Sequence, residues 1–99
     1  MTTPLAPAEI EVELKDLPEW SFDDNKLYRE YQFPSFRDAI AFVGRLAFDA
    51  EELNHHPEIF MVFNRVALSL STHDAGDVVT SRDLVLAKKI EQRARLFLA

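Results

Sequence analysis

The chain has 99 residues, no cysteine, and a formal charge of −6 from 11 basic and 17 acidic residues. That length allows one small domain, and the missing cysteines exclude disulfide staples, thiolate catalysis and cysteine-rich zinc sites. The lysines and arginines are scattered rather than clustered, which argues against nucleic acid as a direct partner.

An apolar share of 47%, with eight Phe, supplies a core and argues against disorder. No stretch approaches the roughly 18 apolar residues of a membrane span. The start, MTTPLAPAEIEVELKDL, lacks the basic region and long apolar run of a secretory signal. A soluble, cytoplasmic protein is expected. Residues 1–7 are polar and proline-bearing and read as a flexible N-terminus. Residues 8–99 read as a single domain without repeat or linker.

In AEIEVELKDL, Ile10, Leu14 and Leu17 recur at helical spacing, which predicts a short first helix ended by Pro18. A hairpin follows, with a strand about Trp20 to Phe22 and a turn at Asp23-Asp24-Asn25. Its second strand puts Leu27, Tyr31 and Phe33 on one face, Arg29 between them, and Tyr28, Glu30 and Gln32 on the other. The long helix shows Phe36, Ala39, Ile40, Val43, Leu46, Ala47, Ala50 and Leu53 at steps of three and four. Ser35 and Asp38 form its capping pair, and Pro57 stops it near Asn54 or His55.

The run IFMVF reads as a strand, turned back at Asn64-Arg65. VALSLSTH alternates, with Val66, Leu68, Leu70 and Thr72 on one face and Ala67, Ser69, Ser71 and His73 on the other. After the loop DAGDVVTS, a last helix opens at Thr80 or Ser81 and carries Leu84, Ala87, Ile90, Ala94 and Leu98. The order α-β-β-α-β-β-α predicts an α+β fold: a four-stranded antiparallel sheet with three helices packed on one face.

Of the three histidines, two are adjacent in EELNHHPEIF, Glu51 to Phe60. The long helix delivers His55 and His56 to one end of the domain. The strand after Pro57 leaves that end and the next returns to it, so His73 is expected beside them. Glu51 lies one helical turn before His55, where its carboxylate can favour the protonated ring. Two readings stand on the residues alone: a solvated helix end, or a proton-transfer site built from groups that titrate near neutrality. Asp83 fits a helix cap, Trp20 a half-buried strand aromatic, and no set completes a familiar metal pattern.

The ordered set Glu51, His55, His56, Pro57, Glu58, Asn64, Val66, Thr72, His73 and Asp83 resembles the pterin-4a-carbinolamine dehydratase family. LPEW and YQFPSFRDAIAFVGRLAFDAEE are also similar to it, so the resemblance runs from about Leu17 onward. It implies a four-stranded antiparallel sheet with three helices and a hydro-lyase. The implied reaction dehydrates 4a-hydroxytetrahydropterin to quinonoid dihydropterin, recycling the pterin used by aromatic amino acid hydroxylases. No metal or redox cofactor is implied.

By the resemblance His55, His56 and His73 surround the pterin, with His56 and His73 closest to the chemistry and His55 oriented by Glu51. Asp83 completes the polar wall, and Trp20, Pro57 and Thr72 contact the substrate. Two departures stand out: Ile59 where an aromatic residue is common, and an unusual loop from His73 to Asp83. The alternative implied function is a non-catalytic pterin-binding or protein-interaction module, since some relatives are dimerisation cofactors of a homeodomain transcription factor or assembly scaffolds. IFMVF is apolar on both faces, so as an edge strand it calls for a homodimer, with a tetramer also open.

Overall fold

A computed structural model describes residues 3–98. Its elements are α1 (Pro7–Glu13), a 3-10 turn (Leu14–Asp16), β1 (Ser21–Asp23), β2 (Lys26–Gln32), α2 (Phe36–Glu52), β3 (Glu58–Val62), β4 (Arg65–Leu70), a second 3-10 turn (His73–Ala75) and α3 (Ser81–Leu98). The four strands form the single antiparallel sheet that the element order predicts, and their order across it is β1-β2-β4-β3. Across the covered face Leu27 pairs with Leu70, Arg29 with Leu68 and Tyr31 with Val66. Tyr28, Glu30, Ala67 and Ser69 lie on the opposite face, which no helix among the described residues covers.

The core joins that covered face to α1, α2 and α3 through Ile10, Leu17, Phe42, Leu46, Leu86 and Ile90. Burying side chains of this size stabilises the fold by roughly 1.5–3 kcal/mol each. Phe42 is its centre, with ring centroids 4.9 Å from Phe33 and 5.4 Å from Tyr31. It lies outside the apolar stripe read from the sequence. The buried stripe of α2 is Ala39, Phe42, Leu46, Asp49 and Ala50, while Phe36, Ile40 and Ala47 face outward. The rotation has a polar cause as well, because Asp49 accepts from Arg93 at 2.8 and 3.1 Å and so turns inward. On α3 Leu86 is buried, and Phe97 rather than Leu98 packs on the core.

Several boundaries shift from the sequence reading, beginning with the strand expected at Trp20, which starts at Ser21. The α-helical part of α1 ends at Glu13, and the chain tightens to a 3-10 turn before Pro18. The first hairpin turn is Asp24-Asn25, both with positive φ, the backbone twist that two-residue hairpins favour. The second is Phe63-Asn64 rather than Asn64-Arg65, because Val62 already pairs with Arg65. Asn64 locks that turn to β2, its side chain and carbonyl both bonding Phe33 at 2.8 Å.

The flexible segment expected over residues 1–7 lies outside the described residues at positions 1 and 2. Beyond them Pro4 bridges Thr80, and the Leu5 amide donates to the Val79 carbonyl at 3.0 Å. Among the described residues no helix is long and apolar enough to cross a membrane.

Candidate active site

Helix α2 ends before Pro57 in a way that fixes both histidines. Asn54 adopts the left-handed conformation (φ 50°), the Asn54 amide donates to Glu51 O, and the His55 amide donates to Ala50 O at 2.9 Å. This pair of reversed bonds closes a helix end with the chain leaving at a set angle. His55 is thereby turned inward and His56 outward. The helix stops at Glu52, slightly earlier than the proline alone required. On the returning side β4 ends at Leu70, so Thr72 and His73 are not strand residues. Thr72 instead bridges Val78, and His73 opens a 3-10 turn.

The two ends meet as the topology predicts. Asn54, His55, His56, Ser71, Thr72, His73, Asp74 and Arg82 line one cavity of about 230 Å³. The helix end holding the two histidines and the turn holding the third are therefore one site.

Each histidine has its own carboxylate. His55 Nε2 lies 2.5 Å from Asp83 Oδ1, His56 Nε2 lies 2.6 Å from Glu51 Oε2, and His73 Nδ1 lies 2.9 Å from Asp77 Oδ1. An ionised carboxylate only accepts, so each of these nitrogens carries a hydrogen and the ring's second nitrogen is left for other work. The three differ in exposure. His55 is buried against a fully buried Asp83, the His56 side chain is 59% exposed, and that of His73 is 90% exposed. Asp77 raises His73 above the ordinary histidine value, first by the hydrogen bond and then by its charge, with a further push from Asp74.

Asp83 also closes a chain of donors. Its Oδ2 accepts from the Thr80 amide and the Thr72 hydroxyl, both at 2.8 Å. The Thr80 hydroxyl accepts from the Arg82 amide and lies 2.6 Å from Thr72 Oγ1. Because the Thr72 proton is committed to Asp83, Thr80 donates to Thr72. Both carboxylate oxygens are thus satisfied, as a buried charge requires. One side chain performs the capping of α3 and the orientation of His55 together.

Two expected placements change. Glu51 pairs with His56, not His55, because the left-handed Asn54 swings His55 beneath α3. Trp20 is not brought to the cavity. It is buried elsewhere, its Nε1 donating to Glu91 at 2.9 Å. Pro57 is half-buried and its part is to end α2, while Thr72 lines the cavity.

Two participants escaped the sequence reading. Asp77 had a signal in the glycine before it, which lets a loop fold back onto the residue four positions earlier. Arg82 had none; its guanidinium donates to Asn54 O at 2.7 Å and ties α3 to the α2 corner. Among the described residues no group of three or more His, Asp or Glu is placed to hold a metal ion.

The family model described as pterin 4 alpha carbinolamine dehydratase matches residues 3–93. A protein of Opitutus terrae, provisionally named pterin-4-alpha-carbinolamine dehydratase, is 46% identical over 92 residues, covering 93% of this chain and 95% of its own. A relative from a Roseiflexus species, with the same provisional name, is 47% identical over 92 residues, 93% of this chain and 98% of its own. Among solved structures, a transcriptional coactivator/pterin dehydratase from Brucella melitensis superposes with a TM-score of 0.87 at 34% identity, over 92% of this chain and 98% of the other. A pterin dehydratase-like RuBisCO assembly factor of the alpha-carboxysome shares the fold, with a TM-score of 0.62 at 22% identity, over 76% and 86% of the two chains.

Proposed function

This chain belongs to the pterin 4 alpha carbinolamine dehydratase family, and from that membership we propose that it is a hydro-lyase acting on 4a-hydroxytetrahydropterin. The observation that supports the reading is three imidazoles around one cavity, each held at one nitrogen by a carboxylate.

The reaction breaks the C4a–O bond, and its electron pair leaves with the oxygen as water once a proton is supplied. The N5 lone pair forms the C4a=N5 double bond, and N5 then gives up its hydrogen to yield quinonoid dihydropterin. His73, whose raised pKa keeps it charged further toward neutral pH, is the donor to the departing hydroxyl. The N5 proton goes to the open nitrogen of His55 or of His56, each ring held at its other nitrogen by a carboxylate. Thr72 and Asp83 hold the wall behind them. The cellular role is recycling of a pterin in the cytoplasm after hydroxylase turnover.

The test is the absorbance decay of freshly generated 4a-hydroxytetrahydropterin. Wild type should accelerate it, and His73→Ala and His56→Ala should each lower the acceleration by roughly 10²-fold or more. A folded wild type that accelerates nothing would reject the enzyme and favour a retained binding module.

A homodimer through the β3 edge belongs to the same proposal. β3 is an edge strand exposing Ile59, Phe60 and Val62, and pairing with a second copy would satisfy its open backbone groups. Sedimentation as a monomer alone at micromolar concentration would count against it.

A further inference from the structure

We infer that Asp77 is a positioning residue for the dehydration, holding the His73 ring with its hydrogen on Nδ1 so that Nε2 is the nitrogen presented to substrate. The inference rests on the function proposed above and deepens it.

Among the described residues nothing else would hold this ring. At 90% exposure the His73 side chain has no packing to choose its rotamer or tautomer. Its only hydrogen-bond partner among the described residues is Asp77 Oδ1, at 2.9 Å. That carboxylate is in turn set by the backbone. The Gly76 amide donates to His73 O at 3.0 Å, the Asp77 amide to Thr72 O at 3.1 Å, and the Thr72 amide to Val78 O at 2.8 Å. Gly76 and Asp77 both take left-handed conformations, with φ of 94° and 60°. Glycine does so freely, and aspartate is among the few residues that tolerate it. The turn therefore closes on itself and returns Asp77 to the ring four residues back.

The pair repeats the arrangement of the other two histidines, one nitrogen tied to a carboxylate and one open. Unlike the buried His55–Asp83 pair it is exposed, as His56–Glu51 also is, so its contribution to folding is small, as for surface ion pairs in general. Its effect falls on the ring. The charged and titratable groups around it are Asp77 and Asp74 of its own turn, His56 of the α2 corner, Arg82 of α3, and Lys26 of β2, whose ammonium feels Asp77. Two carboxylates stand nearest, and they favour the charged ring.

The sign follows. A raised pKa keeps the donor form of His73 to higher pH, and the form is lost as pH rises through that value. Removing the carboxylate moves the loss to lower pH.

The experiment compares wild type, Asp77→Ser and Asp77→Glu by nitrogen-15 imidazole NMR titration and by the pH dependence of kcat. Wild type should show the Nδ1–H tautomer of His73 and a titration above the ordinary histidine range. Asp77→Ser should lose both, with kcat lower by about tenfold at neutral pH, an alkaline limb shifted to lower pH, and KM and thermal stability nearly unchanged. Asp77→Glu should recover part of each. Identical His73 tautomer and titration in wild type and Asp77→Ser would overturn the inference, and so would an unmoved kcat profile. The NMR arm needs no turnover: a wild type that accelerates nothing yet holds the tautomer would reject the dehydratase reading and leave the pairing established.

Discussion

Helix α3 carries two carboxylates about two turns apart, and each gathers donors from distant parts of the chain. Asp83 takes His55, Thr72 and the Thr80 amide. Glu91 takes Trp20 Nε1 at 2.9 Å, Arg29 Nε at 3.0 Å and the Tyr31 hydroxyl. In connectivity the two are nearly the same device. They differ in what the donors can do. An indole and a guanidinium do not titrate near neutrality, and burial pushes the Tyr31 hydroxyl up and away from it, with Glu91 adding to the shift. The Glu91 node is a tie between β2, the chain before β1, and α3. The Asp83 node includes an imidazole, and that imidazole lines a cavity. A satisfied buried carboxylate is therefore not a site. The Asp83 node is the candidate site because its partner is an imidazole that lines the cavity and keeps a second nitrogen open.

The largest effect that would sharpen this contrast is at Asp83. Asp83→Asn keeps the shape but turns an obligatory acceptor toward a mixed group, so His55 can no longer hold its hydrogen on Nε2 against a charge. Dehydration should fall by roughly 10²–10⁴-fold, the range seen when a carboxylate-held imidazole or its orientation is lost. Next is Glu91→Gln, which weakens charge-assisted bonds to three donors. It should cost about 2 kcal/mol and roughly 8–16 °C in Tm, with turnover per folded molecule unchanged.

The same variant changes the acid limb of stability. Burial pushes the Glu91 carboxyl up, but the Tyr31, Arg29 and Trp20 bonds outweigh it and leave the carboxyl below its ordinary 4.5. A depressed folded value means stability that is fully present above the unfolded pKa and lost as pH falls through the folded one. Urea midpoints measured from pH 6 downward should therefore fall less steeply for Glu91→Gln than for wild type. The smallest effect is Trp20→Phe, which removes one donor of three and costs about 1 kcal/mol. Pterin affinity should not change, because the indole lies at the Glu91 node. A weakened affinity in a folded Trp20→Phe would return that residue to the substrate.

Much of this was legible in the sequence, for identifiable reasons. The strand faces of β2 and β4 followed from strict alternation, and the meeting of His55, His56 and His73 followed from an outbound and a returning strand of similar length. Ser35 as the cap of α2, its Oγ accepting from the Asp38 amide at 3.1 Å, needed only local spacing. What failed was angular. An apolar count along α2 could not see that Asp49 would be drawn inward by Arg93, which rotates the helix and buries Phe42. Nor could a one-turn spacing rule anticipate that a left-handed Asn54 would send His55 to Asp83 and leave Glu51 to His56. Trp20 was assigned to the pterin by resemblance, while its partner Glu91 lies 71 residues away in sequence, beyond any local pattern.

The most direct measurement is the decay of freshly generated 4a-hydroxytetrahydropterin with wild type, Asp83→Asn and Glu91→Gln side by side, each first shown to be folded by circular dichroism. Wild type and Glu91→Gln should accelerate the decay strongly, and Asp83→Asn should leave it close to the unassisted rate. Equal losses in both variants, or full activity in Asp83→Asn, would contradict the proposal that the carboxylate–histidine node at the start of α3 belongs to the catalytic site and the Glu91 node does not.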